Sequence, residues 1–361
     1  MNITAQQLYE EITESIKGQD EYVRNLATVV WLQKLRREYA KTSDKTDGKI
    51  NMLVIGKSGT GKTATVEEMS KVAKIPCLIA DITTFTGSGW KGRDLNEIIA
   101  EMLVKTNCDT TDTEYSIIVL DEFDKLFNNM HSNDSSFCVL SSLLKFIEGT
   151  TIPITIDKES YIIDTKNILF VCCGAFDGLE EIISNRLNTT QKIGFNTAEN
   201  ADISADSNIL QNVTEQDLMD FGISAQILGR FGSISVLNTL DVDVMTDIIL
   251  NSNRSVVRSL HRLLNVTQDV SVEISHAAAR EIAKQCIETE VGARGLAQIV
   301  YKMLLPHLFL LQTANIKKLL IDFDGRELFV DIAVADTEAE ERICGVKIGD
   351  MEVIESYVSC R

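Results

Sequence analysis

Cations are the minority in this chain. Lys and Arg number 35 against 53 Asp and Glu, a net charge of −18. That balance argues against a nucleic-acid surface, which needs a clustered basic footprint. Proline is scarce, at 3 of 361 residues, and no low-complexity tract appears, nor any repeat with a period of roughly 20–50 residues. The eight cysteines never fall in a C-x-x-C spacing, which argues against zinc and for reduced thiols. Cys172 and Cys173 are adjacent inside an apolar run. The opening MNITAQQLYEE has neither the basic nor the apolar region of a secretion signal. No apolar run approaches the roughly 18 residues of a membrane helix. The nearest, MLLPHLFLL, carries Pro306 and His307. These absences fit a cytoplasmic chain with no membrane partner.

What is present is ordinary for a globular protein. Hydrophobic residues make up 44%, and the length suggests about two domains. Leu8, Ile12 and Ile16 share a face in a helix predicted over 5–16, and a longer helix is predicted over 19–40. The apolar runs INMLVIG, CLIAD (77–81), SIIVLD (116–121) and NILFVCC (167–173) have strand length. Amphipathic stretches such as 94–104 and 137–148 separate them. Alternating strands and helices predict an α/β domain with a doubly wound parallel sheet. Beyond about residue 235 the pattern turns helical, over 241–265, 275–288 and 293–312, with short strands at 270–274, 317–323 and 327–333. The expected division is a nucleotide-binding α/β domain over 1–235, a small helical domain over 236–335 and an unassigned tail over 336–361.

The stretch GKSGTGKT (Gly56 to Thr63) matches the phosphate-binding loop G-x-x-x-x-G-K-[ST]. Gly56, Gly59 and Gly61 let the backbone curl, so that the amides of Ser58, Thr60 and their neighbours can point at one anion. The following helix adds its positive end. Lys62 would reach the β- and γ-phosphates of ATP, and Thr63 would place a hydroxyl on Mg²⁺. The loop precedes a helix and follows a strand, as this chemistry requires. It contains no G-x-G-x-x-G, which excludes a dinucleotide site. About sixty residues on, SIIVLDEFDKL ends a buried strand in Asp121 and Glu122. Ligands of such sheets bind at the carboxyl ends of the strands. Asp121 would hold Mg²⁺ and Glu122 would orient and deprotonate the attacking water.

DEFDK together with GKSGTGKT resembles the AAA+ ATPases, and further segments are similar to the ClpX-type unfoldases. These are ADITTFTGSGWKGRDLNEII, SSLLKFIEGT, TKNILFVCCGAFDGLEEII, DLMDFGISAQILGRFG and GARGL. The resemblance spans about residues 5–330. It implies an AAA+ P-loop fold and a homo-hexameric ring that threads unfolded or tagged proteins through its axis using ATP. It assigns Arg230 as the finger that reaches a neighbour's γ-phosphate, and Arg294 as the sensor-2 arginine. Ile16, Gly18 and Gln19 fall at the family's adenine-side segment, with Lys17 where the family carries an apolar residue. CCGAF supplies neither Asn nor Thr at the sensor-1 position, which stays unassigned. The family's N-terminal zinc-binding domain has no counterpart among these cysteines, so the chain is expected to start at the ATPase. The family's basic substrate-selecting loop is replaced by TTIPITIDKESYIIDT, which is short and not basic.

The resemblance also gives a role to TGSGWKGRD. A tryptophan between glycines has no place in a core strand or helix. The family carries Gly-aromatic-apolar-Gly there, lining the axial pore. Trp90 would grip the passing chain, and Lys91 would favour acidic segments of it. Ile193, Gly194 and Phe195 match the I-G-F tripeptide with which ClpX-type proteins dock a ClpP-like peptidase. Two other readings stand beside the unfoldase. One is a stand-alone protein-remodelling ATPase without a protease. The other is a nucleic-acid motor, against which the net charge and the aromatic pore loop both argue.

Overall fold

The structure is a computed structural model that describes residues 3–42, 48–85, 95–128, 134–193, 208–289, 291–311, 315–334 and 341–346. The chain divides into two compact units, Met1–Ile12 with Gln19–Thr239, and Thr13–Gly18 with Leu240–Arg361.

In chain order the first stretch forms α1 (Ala5–Thr13), α2 (Asp20–Ala40), β1 (Asn51–Ile55), α3 (Lys62–Ala73), β2 (Cys77–Asp81), α4 (Leu95–Lys105), α5 (Thr110–Glu114) and β3 (Ile117–Asp121). Then come α6 (Lys125–Asn128), α7 (Asp134–Glu148), β4 (Thr151–Ile156), β5 (Glu159–Asp164), β6 (Leu169–Gly174), α8 (Leu179–Ile193), α9 (Glu215–Phe221), α10 (Ala225–Leu228) and β7 (Phe231–Val236). Five strands make one sheet in the order β2-β3-β6-β1-β7, every pair parallel. The central strands are predominantly apolar because both faces are covered: all residues of β1 and β6 are buried.

Three strands of this unit were not expected. The edge strand β7, FGSISV, buries Phe231 and Ser235, and its Gly and Ser residues read locally as a turn. The segment over 151–164 is an antiparallel hairpin, β4 on β5, with Ile154 opposite Tyr161. Asp157 and Lys158 at its tip both have positive φ, 50° and 73°, the combination that suits a two-residue hairpin turn to the strand twist. Strict alternation in TIPITI was the signal, with Ile152 and Ile154 buried. The helix expected to 148 does stop there. Gly149 takes φ 122°, and a Cβ on it would lie 2.9 Å from the Lys166 Cα.

The second unit contains α11 (Val242–Asn251), α12 (Val256–Gln268), β8 (Ser271–Ile274), α13 (His276–Glu288), α14 (Ala293–Phe309), β9 (Ile316–Phe323), β10 (Leu328–Val334) and β11 (Glu341–Val346). The single helix expected over 241–265 is two. Between them the Ser255 hydroxyl donates to the Ile249 carbonyl and the Ser252 hydroxyl to the Ser15 carbonyl, each at 2.5 Å. Small polar side chains there compete with the helix for its own backbone groups. The sheet runs β11-β10-β9-β8, with β8 parallel to β9 and the other pairs antiparallel. Its core centres on Ile282, Leu304, Leu319 and Ile321, all fully buried. β11 comes from the tail, which the sequence left unassigned.

Candidate active site

The loop Gly56–Gly61 leaves the carboxyl end of β1 and runs into α3, so the first amides of that helix face the loop. Gly59 and Gly61 take φ of 77° and 100°, a region open to glycine without strain. The Gly56 amide donates to the Gly174 carbonyl at 3.2 Å, fixing the loop to the end of β6. Lys62 is buried, and its ammonium donates to the carbonyls of Gly56 at 2.5 Å and Lys57 at 3.0 Å. The cation thus rests across the mouth of its own loop, held by neutral oxygens that a phosphate would outcompete. From below, the Tyr22 hydroxyl donates to the Lys62 carbonyl at 2.9 Å. Tyr22 is fully buried, and that burial, with the Cys173 thiol and the Asp121 carboxylate nearby, pushes its phenol well above the usual range. It therefore serves as a neutral donor.

The Thr63 hydroxyl donates to Oδ2 of Asp121 at 2.7 Å. Two oxygens from distant segments thus meet beside the loop. Oxygen donors of this kind suit a hard divalent cation such as Mg²⁺. Glu122 follows with its carboxylate exposed and its backbone at φ 57°. A left-handed conformation for Glu costs of order 1–3 kcal/mol and is retained where the surroundings enforce it. Here the enforcement is visible. The Glu122 amide donates to Oδ1 of Asp121 at 3.0 Å, and the next amide, of Phe123, donates to the Cys173 carbonyl at 2.9 Å. Asp124 then accepts from the amides of Ala175 and Phe176, each at 3.3 Å, while only 1% exposed. Gly174 makes room, since a Cβ on it would sit 2.6 Å from the Asp124 carboxylate. The acidic turn is therefore bolted to the end of β6, between the strands that carry Gly56 and Asp121.

Gln19, in the segment expected on the adenine side, is buried and clamps backbone. Its amide receives the Asn238 amide at 2.8 Å and donates to the Asn238 carbonyl at 2.9 Å. Ile16 and Gly18 belong to the second unit. Gly18 has φ 73° there, and a Cβ on it would lie 2.6 Å from a Val244 methyl.

Arg230 lies just before β7 and is exposed. Its carbonyl accepts from the Asn51 side chain at 3.1 Å, at the amino end of β1, and its guanidinium pairs with Glu148. Arg294 is the second residue of α14 and is also exposed. Trp90 and Lys91 lie outside the described residues, as do Gly194 and Phe195. Phe85 and Leu95, the described residues on either side of 86–94, are buried in the core of the first unit. Ile193 is the last residue of α8. Tyr22, Asp124, Asn51 and Glu148 escaped the sequence reading because they act through distant backbone or side-chain partners that no local pattern encodes.

The sequence is similar to known proteins. Residues 47–234 match the family described as AAA domain (Cdc48 subfamily). Residues 240–317 match the C-terminal, D2-small domain of ClpB protein. The chain is 31% identical over 321 residues to the ATP-dependent Clp protease ATP-binding subunit ClpX of Treponema denticola, covering 85% of this chain and 77% of that protein. It is 28% identical over 340 residues to the protein of the same name from Porphyromonas gingivalis, covering 90% and 82%. With that of Bacteroides thetaiotaomicron it shares 27% over 332 residues, covering 88% and 80%. No helix among the described residues is long and apolar enough to cross a membrane.

Proposed function

The chain belongs to the AAA domain family, in its ClpX branch, and is an ATPase; from that premise we propose that it works as a ring of six subunits that unfolds proteins and threads them through its axis. The observation that carries this reading is the joined site of Lys62, Thr63, Asp121 and Glu122 at the carboxyl edge of the sheet. The Lys62 ammonium exchanges its two carbonyl partners for phosphate oxygens. Thr63 and Asp121 would hold a magnesium ion, which when bound would neutralise charge on those oxygens. Glu122 stands exposed beside them, free to take a proton from the attacking water.

Arg230 supports a ring. Asn51 holds its carbonyl at the amino end of β1, whereas the phosphate loop leaves the carboxyl end. The five residues of β1 span roughly 16 Å, so the Arg230 backbone lies about that far from the phosphate loop of its own subunit. An exposed arginine placed so suits the nucleotide of a neighbour, where such a cation stabilises transition-state charge. The names of the relatives support a peptidase partner, docked through Ile193, Gly194 and Phe195. Trp90 and Lys91 are the grip on substrate, and Arg294 is the sensor-2 arginine.

The test is assembly and unfolding together. With ATP the protein should sediment as a hexamer and unfold a tagged, folded substrate. Trp90→Ala should collapse the number of molecules unfolded per ATP hydrolysed. A monomer at every nucleotide concentration would overturn the ring. Deleting Ile193–Phe195 should abolish binding to a ClpP-type peptidase. If the intact protein binds none, the stand-alone remodelling ATPase is the correct reading. Hydrolysis stimulated by DNA and not by unfolded protein would overturn both.

A further inference from the structure

The guanidinium of Arg230 pairs through Nη2 with Oε1 of Glu148, the last residue of α7. Both partners stand on fixed backbone. On one side the buried Asn51 side chain donates to the Arg230 carbonyl and accepts the Phe170 amide at 3.2 Å, tying Arg230 to two central strands. On the other, the end of α7 is held by Thr165, which is fully buried. The Thr165 hydroxyl donates to the Phe146 carbonyl at 2.9 Å and accepts the Thr150 amide at 2.9 Å. Gly149 lets the chain pass against Lys166 where a side chain would collide. The ion pair itself is exposed, with 44% of the arginine and 42% of the glutamate side chain accessible.

We propose that Glu148 is the positioning residue for Arg230. It grips one edge of the guanidinium and leaves the rest of the fork aimed at an anion on a neighbouring subunit. A guanidinium carries five N–H donors in a rigid plane, and the contact with Glu148 is made by Nη2. The backbone of Arg230 is already fixed, so the long side chain is the freedom that remains. A carboxylate on a second fixed element removes most of it before the neighbour's phosphate arrives. Orientation set in advance is what an electrostatic catalyst needs, because no reorganisation is then required in the transition state. The proposal rests on Arg230 acting across subunits, and the test separates the two assignments.

Hydrolysis by the full-length protein is measured at saturating ATP and across an ATP titration, for Glu148→Ala, Glu148→Asp, Arg230→Ala and the Glu148→Ala/Arg230→Ala double variant. Glu148→Ala should lower kcat about tenfold with KM for ATP unchanged, because the lost interaction acts on the transition state. Its melting temperature should not move, since an exposed pair adds little stability. Glu148→Asp, which keeps the charge, should recover part of the rate. In the double variant Glu148→Ala should add nothing to the loss caused by Arg230→Ala, the mark of a residue acting through another. If Arg230→Ala hydrolyses normally, the arginine assignment falls and the proposal with it. If Arg230→Ala is crippled while Glu148→Ala is not, or if the two losses multiply, only the Glu148 assignment falls.

Discussion

The Thr63 hydroxyl and the Asp121 carboxylate, 58 residues apart in the chain, lie 2.7 Å from each other. Asp121 ends β3, and Thr63 opens α3 after the loop that leaves β1; those two strands are not neighbours, since β6 runs between them. The two residues meet because both parallel strands end at the same edge of the sheet.

That contact predicts how hydrolysis depends on magnesium. Thr63→Val keeps the volume and removes the hydroxyl, and Asp121→Asn keeps the shape and removes the charge. Each should raise the Mg²⁺ concentration for half-maximal hydrolysis by about tenfold, equivalent to roughly 1.4 kcal/mol. Titrating Mg²⁺ at fixed ATP checks it. An unchanged midpoint in both variants would remove them from the metal site.

Glu122→Gln should retain ATP and lose hydrolysis, by about 10²–10⁴-fold for a missing general base. The side chain is exposed and its backbone geometry comes from Asp121 and the Phe123–Cys173 bond, so the fold should survive. Nucleotide binding by calorimetry and turnover by phosphate release separate the two effects. Proteins held by this variant identify the substrates, and recovery of nucleic acid alone would contradict the unfoldase reading.

Asp124→Asn probes the bolt between the acidic turn and β6. The carboxylate accepts two backbone amides, and an asparagine turns an N–H₂ toward one of them. An unsatisfied buried amide costs about 1–3 kcal/mol, so the melting temperature should fall by several degrees. Hydrolysis at a temperature well below melting should fall further than Asp124→Glu, which retains the charge, allows. A normal melt and normal rate would mean that the turn holds itself.

Lys49 predicts a pH dependence. Burial, then repulsion from Arg36, lowers its amine from the ordinary 10.5 to about 7, against the pull of Asp164. The amine lies over the Phe170 ring at 4.6 Å and donates to the Thr165 carbonyl at 3.1 Å. Below pH 7 the group is charged in both states and the burial penalty is fully present. Between about pH 7 and 10.5 the unfolded chain binds a proton that the folded one releases, so stability rises with pH across that window. Thermal melts from pH 7 to 9 should show this rise, and Lys49→Met should flatten it. An equal slope in the variant would assign the rise to other groups.

How far the sequence could be read follows from which interactions are local. The glycines of the phosphate loop and the apolar runs of β1, β3 and β6 each carry their conformation in a few adjacent residues, and the acidic pair after the β3 run declares itself by composition. The edge strand β7 does not. FGSISV is too polar to declare itself, and it is a strand because β1 offers it a ladder from Asn51 to Ile55. The break between α11 and α12 was equally hidden, because Ser252 and Ser255 end the helix by bonding carbonyls, one of them on Ser15.

The sequence by itself determined the nucleotide chemistry: a curled glycine loop, a lysine, a hydroxyl and two carboxylates at strand ends, all set by short-range sterics and the two-residue and 3.6-residue periods. Only the tertiary structure decided what surrounds that chemistry. It placed Gln19 as a clamp on Asn238, Asp124 as the bolt on β6, and Arg230 against Glu148 at the far end of β1. Those relations depend on which strand lies beside which, and strand order is a sum over long-range pairings that no short window of residues contains.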